Sequence, residues 1–427
     1  MHRALRLPYA AAGAIADLAA QLPLAGDGKL VRTLRARRDA VEVLITWARA
    51  HRDAARPLVW MHAPSVGEGL QARPVLERLR ERHPDWQLVY TYFSPSAERF
   101  AAGLDVDLRG YLPFDRAAHA AAVLDAVKPT ALVFAKLDVW PLLTEAAGAR
   151  GVRLGLIAAT MSERSGRRGP LAQALSRDAF SQLDTVGAID AADADRLAGA
   201  GVRAERIRVT GDTRYDQVAV RAARLDRSQP LLARLRGTRP TLVAGSTWPA
   251  DEKVLLPAWR ALKVAVPEAR LIIAPHEPTD AHLAPIEQWA ASAGLTCARL
   301  DGASAAADVV LVDRVGVLGD LYALGEAAYV GGGFHAAGLH SVLEPAAFGI
   351  AVLFGPRHHM SRDARLLWEC RGGEPVRDAP ELVRALRILF TEPDTRQRAG
   401  DAALGLVREG LGAAERSTDL VERLVVG

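Results

Sequence analysis

The sequence reads as an α/β chain of two open, doubly wound parallel sheets, and three observations carry that reading. Its 427 residues exceed the usual size of one domain, so two domains of about 200 residues each are expected. Short apolar runs alternate with helical stretches, and the series of runs ends near Asp212 and restarts at Thr241. From Tyr329 to Pro356, YVGGGFHAAGLHSVLEPAAFGIAVLFGP, a buried strand, a glycine turn, a helical stretch and a second strand follow in direct succession. Half the residues are hydrophobic and charge is mixed throughout, which supplies large cores and excludes a disordered chain.

Residues 4–25, ALRLPYAAAGAIADLAAQLPLA, open the chain. Asp17 and Gln21 interrupt the segment and alanine supplies much of its bulk, whereas a spanning helix needs about twenty strongly apolar residues. Residues 1–28 are therefore assigned as a helix lying in a membrane interface, followed by the basic cluster LVRTLRARRD, which suits anionic headgroups. The alternative is an amphipathic helix packed on its own domain. Asp17 also breaks the apolar region that a signal peptide requires. Residues 29–218 form the first Rossmann-like domain: PLVWMHA, QLVYTYF, ALVFAKL, VRLGLIAA and TVGAI read as strands, 69–83 and 117–127 as helices, and RIRVTGD closes the sheet. Residues 219–238 are helical and charged and read as the interdomain connection. TLVAGST, RLIIAPH, DVVLVD, AAYVGGG and AVLFGP then build a second sheet within 239–408, and 409–427 read as a C-terminal helix.

The pI of 9.2 accompanies a net charge of only +4. The chain lacks the long basic run of a nucleic-acid-binding arm, so no nucleic-acid partner is expected, while a basic surface suits an anionic membrane or substrate. Cys297 and Cys370 have neither metal-ligand spacing nor the pattern of a disulfide framework, which fits a reducing, cytoplasmic setting.

Ligands of open α/β sheets bind outside the carboxyl ends of the strands, so the residues that follow each strand carry most weight. Gly331, Gly332 and Gly333 let the backbone turn sharply and approach a ligand, and a helix directly after them would aim free N–H groups and its positive dipole end at a phosphate. Glu344, a turn into that helix, would accept hydrogen bonds from a ribose diol. Ser65, Gly67 and Glu68 follow the first strand, Ser246, Thr247 and Trp248 follow TLVAG with Asp251 and Glu252 close behind, and Pro275, His276 and Glu277 follow RLIIA. Gly211 to Asp216, with Arg214, follow RIRVT. Singly these have plain explanations: acids in a first helical turn as caps, His276 as a solvated ring, Arg214 as the partner of Asp212 or Asp216. Their shared position at strand ends points instead to a common site.

A set of motifs in register adds a family likeness. SVGE at Ser65, FSPS at Phe93, LPFD at Leu112, KLDVWP at Lys136, SERS at Ser162, GDTRYD at Gly211, GSTWPADE at Gly245, APHEP at Ala274, VGGGF at Val330 and LEPAAFG at Leu343 resemble the 3-deoxy-D-manno-octulosonic acid (Kdo) transferases of lipid A and lipopolysaccharide biosynthesis, over nearly the whole chain. The resemblance implies a GT-B fold of two Rossmann-like domains facing across a cleft, and an inverting glycosyltransferase. It further implies CMP-Kdo as donor, a lipid A precursor as acceptor, and a peripheral or monotopic place on the cytoplasmic face of a bacterial inner membrane.

By position, Glu68 matches the family's general base. Ser246, Thr247, Pro275, His276, Gly332, Gly333 and Glu344 match the donor side, and Arg214 resembles a basic position that meets the Kdo carboxylate or the CMP phosphate. Ser65, Gly67, Lys136 and Asp138 fall to the acceptor. No metal or other cofactor is expected. The chain departs from the family at two places: Lys136 to Pro141 stand where many members have ETE-W-P, so that Asp138 would substitute in part for the missing acid, and Ser341 stands where asparagine is usual before LEP. His358 and His359 read as solvated or phosphate-facing rather than as metal ligands. The rival reading is a GT-B enzyme using a UDP-sugar, or a non-catalytic membrane scaffold related to one.

Overall fold

The apolar runs become parallel strands buried on both faces, as expected where helices cover the two sides of a sheet. The computed structural model describes all residues except 23–25, 27, 163, 164 and 337. The end of the N-terminal segment and Glu163 and Arg164 of the SERS motif lie outside the described residues. The chain divides into two units, Met1–Gln217 with Leu411–Gly427, and Val218–Gly410.

The first unit holds β1 (Leu58–His62), β2 (Gln87–Tyr92), β3 (Leu108–Tyr111), β4 (Ala131–Ala135), β5 (Arg153–Ala159), β6 (Thr185–Ala188) and β7 (Ile207–Val209), in the order β3-β2-β1-β4-β5-β6-β7. Strand alternation divides the core between the two faces. Leu58 and Trp60 join Phe134 and Leu154 on one side, while Val59 and Met61 join Tyr90, Val133 and Ile157 on the other. The helices expected over 69–83 and 117–127 are Val66–Arg82 and Ala117–Val127. The C-terminal helix Ala413–Val426 returns to this unit. Its Leu420, Val421 and Leu424 pack with Val59 and Met61, and the Asp216 carboxylate accepts from the Gly412 and Ala414 N–H groups at its start, both at 2.9 Å.

The second unit holds β8 (Thr241–Thr247), β9 (Arg270–Pro275), β10 (Cys297–Arg299), β11 (Val309–Leu311), β12 (Ala327–Val330), β13 (Ala351–Phe354) and β14 (Gly373–Pro375), in the order β10-β11-β9-β8-β12-β13-β14. The sequence reading omitted β3, β10 and β14. All three are short and lie at sheet edges, where one side needs no apolar cover. Within the stretch 219–238, Leu232 and Leu235 of the helix Pro230–Leu235 pack into the core of the second unit.

The N-terminal segment forms the helix Arg3–Gln21. It docks on its own unit through a Tyr9 hydroxyl donated to Asp115 at 2.7 Å, an Arg6–Glu145 pair at 2.6 Å and a close Arg116–Asp17 pair. Of its residues only Ala20 is buried, and no described helix is long and apolar enough to cross a membrane.

One expectation is corrected. The glycine turn does not lead directly into a helix: the described residues of 331–342 run as turns and irregular chain, and the helix that carries Glu344 is the single turn Leu343–Ala346, with Glu344 as its second residue. The positive φ angles of Gly332 (91°) and Gly338 (92°) interrupt any helical path. A dipole aimed from that helix into the glycine turn is therefore absent.

Candidate active site

In the first unit the turn after β1 places Ser65 just before the helix Val66–Arg82, with Glu68 in its first turn. The Ser65 hydroxyl makes a short hydrogen bond to Glu68 Oε2, and Lys136 Nζ lies 3.1 Å from Oε1. Lys136 follows β4 in the left-handed region, φ 65°, and its N–H donates to the Ile157 carbonyl at 2.9 Å. A strained backbone thus carries the ammonium to the carboxylate. Burial raises the Glu68 pKa, but the Ser65 hydroxyl and the Lys136 charge outweigh it and hold the carboxyl below its ordinary value. A Cβ on Gly67 would meet only the Ser65 hydroxyl, at an ordinary 3.8 Å, whereas a side chain on Gly69 would collide with Phe100 and Tyr90, so Gly69 sets how deeply the helix start seats on the sheet.

Asp138 is part of a half-buried network. Its Oδ2 meets His62 Nε2 at 3.0 Å and accepts from the Trp140 indole N–H at 3.0 Å, while Arg167 stands 3.6 Å from Oδ1. Burial raises its pKa, and the bonds to His62 and Trp140 bring the net value below the ordinary one. Arg214 also lies in this unit, with its guanidinium on Asp212 at 2.6 and 2.9 Å. Burial raises the Asp212 pKa, and the Arg214 charge, the hydrogen bonds from the Arg214 guanidinium and N–H and the Gln71 amide together bring it below the ordinary value.

In the second unit the residues expected on the donor side gather at the carboxyl ends of the adjacent strands β9, β8 and β12. Ser246 takes a left-handed φ of 54° at a break in the β8–β9 register between Gly245 and Thr247. The His276 N–H donates to the Thr247 carbonyl at 2.9 Å, and the Gly331 N–H to the Gly245 carbonyl at 2.9 Å. Side chains on Gly331 and Gly333 would collide with the Ser246 and Gly355 backbones; these glycines are required by the close approach of neighbouring strand ends. The Thr247 hydroxyl donates to Glu252 Oε1 at 2.8 Å and so turns inward.

A residue read from the sequence only as a helix-start acid organises this turn. The fully buried Asp251 carboxylate accepts from the N–H groups of Trp248 (3.0 Å), Gly332 (2.8 Å) and Phe334 (3.2 Å) and from the Tyr329 hydroxyl (3.2 Å). Gly332 therefore contributes its close-approaching backbone and not a free N–H. The indole of Trp248 stacks with His276 (4.5 Å) and His335 (4.2 Å), and its N–H donates to His340 Nε2 at 3.0 Å. Burial, then the neighbouring His276 and His335, push the His340 pKa down to about 4. Ser341 follows, exposed. Burial raises the pKa of Glu344, and Arg221, bound to Asp320 at 3.0 Å, partly offsets that rise. Glu344 in turn lifts the pKa of Tyr322, already raised by burial; the Tyr322 hydroxyl lies against Gly245, which links Glu344 to the β8 end. The His358 ring packs 5.4 Å from Phe354 and 5.8 Å from Trp368.

Two strand-end clusters with these motifs invite comparison with known proteins. Residues 34–217 match the family described as 3-Deoxy-D-manno-octulosonic-acid transferase (kdotransferase). A 3-deoxy-D-manno-octulosonic acid transferase of Bordetella pertussis is 33% identical over 391 residues, covering 88% of this chain and 89% of that protein. The chain belongs to the Kdo transferase family. It is a glycosyltransferase of lipopolysaccharide biosynthesis. A Kdo transferase of Haemophilus influenzae is 27% identical over 369 residues, 85% of this chain and 86% of that one. Among solved structures, a UDP-GlcNAc 2-epimerase from Neisseria meningitidis bound to UDP-GlcNAc superposes with a TM-score of 0.62 at 13% identity over 86% of this chain and all of that one. That likeness concerns the fold, which is GT-B.

Proposed function

We propose that this Kdo transferase binds CMP-Kdo through the strand ends of its second unit and activates a lipid A precursor through Glu68 of its first. In this reading Glu68 takes the proton of the acceptor hydroxyl while that oxygen bonds to the anomeric carbon of Kdo. The bond from that carbon to the CMP phosphate breaks, CMP leaves with its electron pair, and configuration at the carbon inverts. Catalysis then rests on positioning and on a correctly ionised base. The observation that carries the reading is the Ser65–Glu68–Lys136 cluster, a carboxylate kept ionised at a strand end.

On the donor side, Ser246, His276 and the glycine turn offer hydroxyl, ring and backbone contacts to the nucleotide, Glu344 a carboxylate for the ribose, and Ser341 an exposed hydroxyl. Arg214 meets the sugar carboxylate or the phosphate by leaving part of its pairing with Asp212. No metal enters the proposed chemistry, so chelators leave turnover unchanged.

The same reading puts the enzyme on a membrane surface. Leu7, Ile15 and Leu18 are 81%, 68% and 66% exposed, and with Leu22 they fall within roughly a quarter turn of one helix face. Exposed Arg3, Arg6, Arg32 and Arg35 accompany them. This pattern supports peripheral binding to an anionic leaflet, on the cytoplasmic face of the inner membrane where the lipid precursor is met.

The test is CMP release from CMP-Kdo with and without a lipid A precursor in detergent, with mass spectrometry of the lipid. Acceptor-dependent CMP and a Kdo-sized mass gain are expected. CMP release that ignores the acceptor, with the lipid mass unchanged, would remove the reading.

A further inference from the structure

The inner face of the N-terminal helix borders a space that the fold leaves unfilled. Tyr9, Ala12, Gly13 and Ala16 lie opposite the exposed leucine stripe on the helix Arg3–Gln21, and with Leu30 and Leu34 of the helix Lys29–Arg37 they line an open cavity of about 640 Å³. Its other wall is aromatic: Phe93, Phe114 and Trp140, with the Phe93 and Trp140 rings stacked at 5.8 Å. The buried Arg37 closes one end. Its guanidinium is held 4.4 Å from the Phe93 ring centre and 4.2 Å from that of Phe114 and donates to the Leu112 and Pro113 carbonyls at 2.8 and 2.7 Å. Leu30 lines the cavity yet is 72% exposed, so the cavity reaches solvent there. The volume falls within the roughly 300–1,000 Å³ of small-molecule sites, and the lining is apolar apart from groups already bonded to protein.

Two short connections tie this cavity to the Glu68 cluster. The Phe93 N–H donates to the Pro64 carbonyl at 3.1 Å, and Pro64 precedes Ser65. Trp140 donates to Asp138 at 3.0 Å, two residues beyond the Lys136 that pairs with Glu68. The same backbone turns therefore carry the aromatic wall and the charged cluster. A ligand that set its reacting hydroxyl at Glu68 and carried a hydrocarbon chain nearby would find apolar cover for that chain in the same unit.

We propose that the cavity takes one acyl chain of the lipid acceptor, so that the enzyme selects its acceptor by chain as well as by sugar. This rests on the reading of Glu68 as the acceptor-side base. Small residues on the helix face provide the space: Ala12 and Ala16 are short where a Leu or Phe would fill it, and Gly13 lets the helix seat close to the Asp115 backbone, whose carbonyl oxygen would lie 3.3 Å from a Cβ there. Each buried methylene favours binding by roughly fourfold, from about 0.8 kcal/mol, so a few methylenes set a preference of one or two orders of magnitude.

The experiment compares kcat/KM for long-chain and short-chain acyl forms of one acceptor in detergent, using the full-length protein and two variants that fill the cavity from different walls, Ala16→Phe and Leu34→Trp. CMP-Kdo affinity confirms that each variant is folded. The native enzyme is expected to favour the long chain by at least about tenfold, and both variants to reduce that ratio to near unity. A native enzyme indifferent to chain length, or variants that both keep the native ratio, would overturn the proposal. Loss of vesicle binding in the variants with the acceptor ratio intact would overturn it too, assigning the cavity to a bilayer lipid. Native enzyme that transfers Kdo to none of these acceptors removes the proposed acceptor, and the acyl site with it. That outcome is distinct from transfer without chain preference.

Discussion

The two strand-end clusters are built by opposite means. In the first unit the groups are charged side chains, Glu68 with Ser65 and Lys136, and Asp138 with His62 and Trp140. In the second they are backbone turns shaped by glycines and fixed by one buried carboxylate, Asp251, with stacked rings beside them. A proton acceptor has to be ionised and available, which calls for tuned charge. A nucleotide has to be met by close backbone and flat rings, which calls for rigid shape. Altering one cluster should change turnover with binding preserved, and altering the other should change binding and stability together. The largest effect on turnover is expected for Glu68→Ala, a loss of about two to four orders of magnitude with CMP affinity nearly unchanged by calorimetry. Near-normal turnover in that variant would remove Glu68 as the base.

Asp251→Ala tests the other side. Its removal leaves three N–H groups and the Tyr329 hydroxyl without their acceptor, and an unsatisfied buried donor costs about 1–3 kcal/mol. A stability loss of about 3 kcal/mol or more, with weakened CMP-Kdo binding, is expected. Thermal unfolding and calorimetry read both, and a variant that melts and binds like the native protein would show that the glycine turn holds its shape unaided. Asp251→Asn, which keeps one oxygen acceptor, should fall between the two.

How much of this the sequence made legible follows from the same contrast. Central strands such as β1, β4, β8 and β9 are continuous apolar runs, buried on both faces, and they stand out along the chain. β3, β10 and β14 are three or four residues long at sheet edges, where hydrogen bonding on one side suffices and no apolar run is demanded. In the first cluster, Glu68 and Lys136 are legible because the candidate site is made of the charges themselves. In the second, the glycines were legible, but the helix inferred from them was not there, and Asp251 read as a helix-start acid. Both its roles use the same oxygens: it caps the helix Pro249–Ala265 through the Trp248 N–H and reaches across the sheet to Gly332. The second contact is 81 residues away in the chain, beyond any local pattern. Arg37 was hidden for a similar reason, since an arginine in a basic run gives no sign that aromatic rings will enclose it.

Lys136→Met sharpens the account of the first cluster, with a smaller effect than loss of the carboxylate. Burial raises the Glu68 pKa, and Ser65 and Lys136 lower it by more. Removing the ammonium therefore moves the pKa upward. A base works only in its ionised form, so the acidic limb of the kcat/KM profile should shift to higher pH, and turnover should fall on that limb. At higher pH the same variant holds a more basic carboxylate and should lose less. Lys136→Arg keeps the charge and should keep the limb in place. An unmoved limb in Lys136→Met would mean that the ion pair does not tune the base.

The smallest effect on turnover is expected from the outer face of the N-terminal helix, because neither cluster depends on it. Leu7, Ile15 and Leu18 point away from the polar contacts that dock the helix, those of Tyr9 with Asp115 and Asp17 with Arg116. Replacing all three by Ser removes apolar surface without opening the docked face, so stability and turnover in detergent should hold. Full burial of such a side chain is worth about 1.5–3 kcal/mol; partial immersion of three should still amount to a tenfold or greater loss in partition onto anionic vesicles. Sedimentation with vesicles measures this directly. Because Tyr9, Ala12, Gly13 and Ala16 face the other way, the Ser variant should keep whatever preference for acyl length the native enzyme has. On the proposed readings the two faces of one helix are separable by experiment, the outer face through vesicle partition and the inner face through acyl preference. Unchanged vesicle partition in the triple variant would leave the exposed stripe without a membrane role and shift the weight to the arginines beside it.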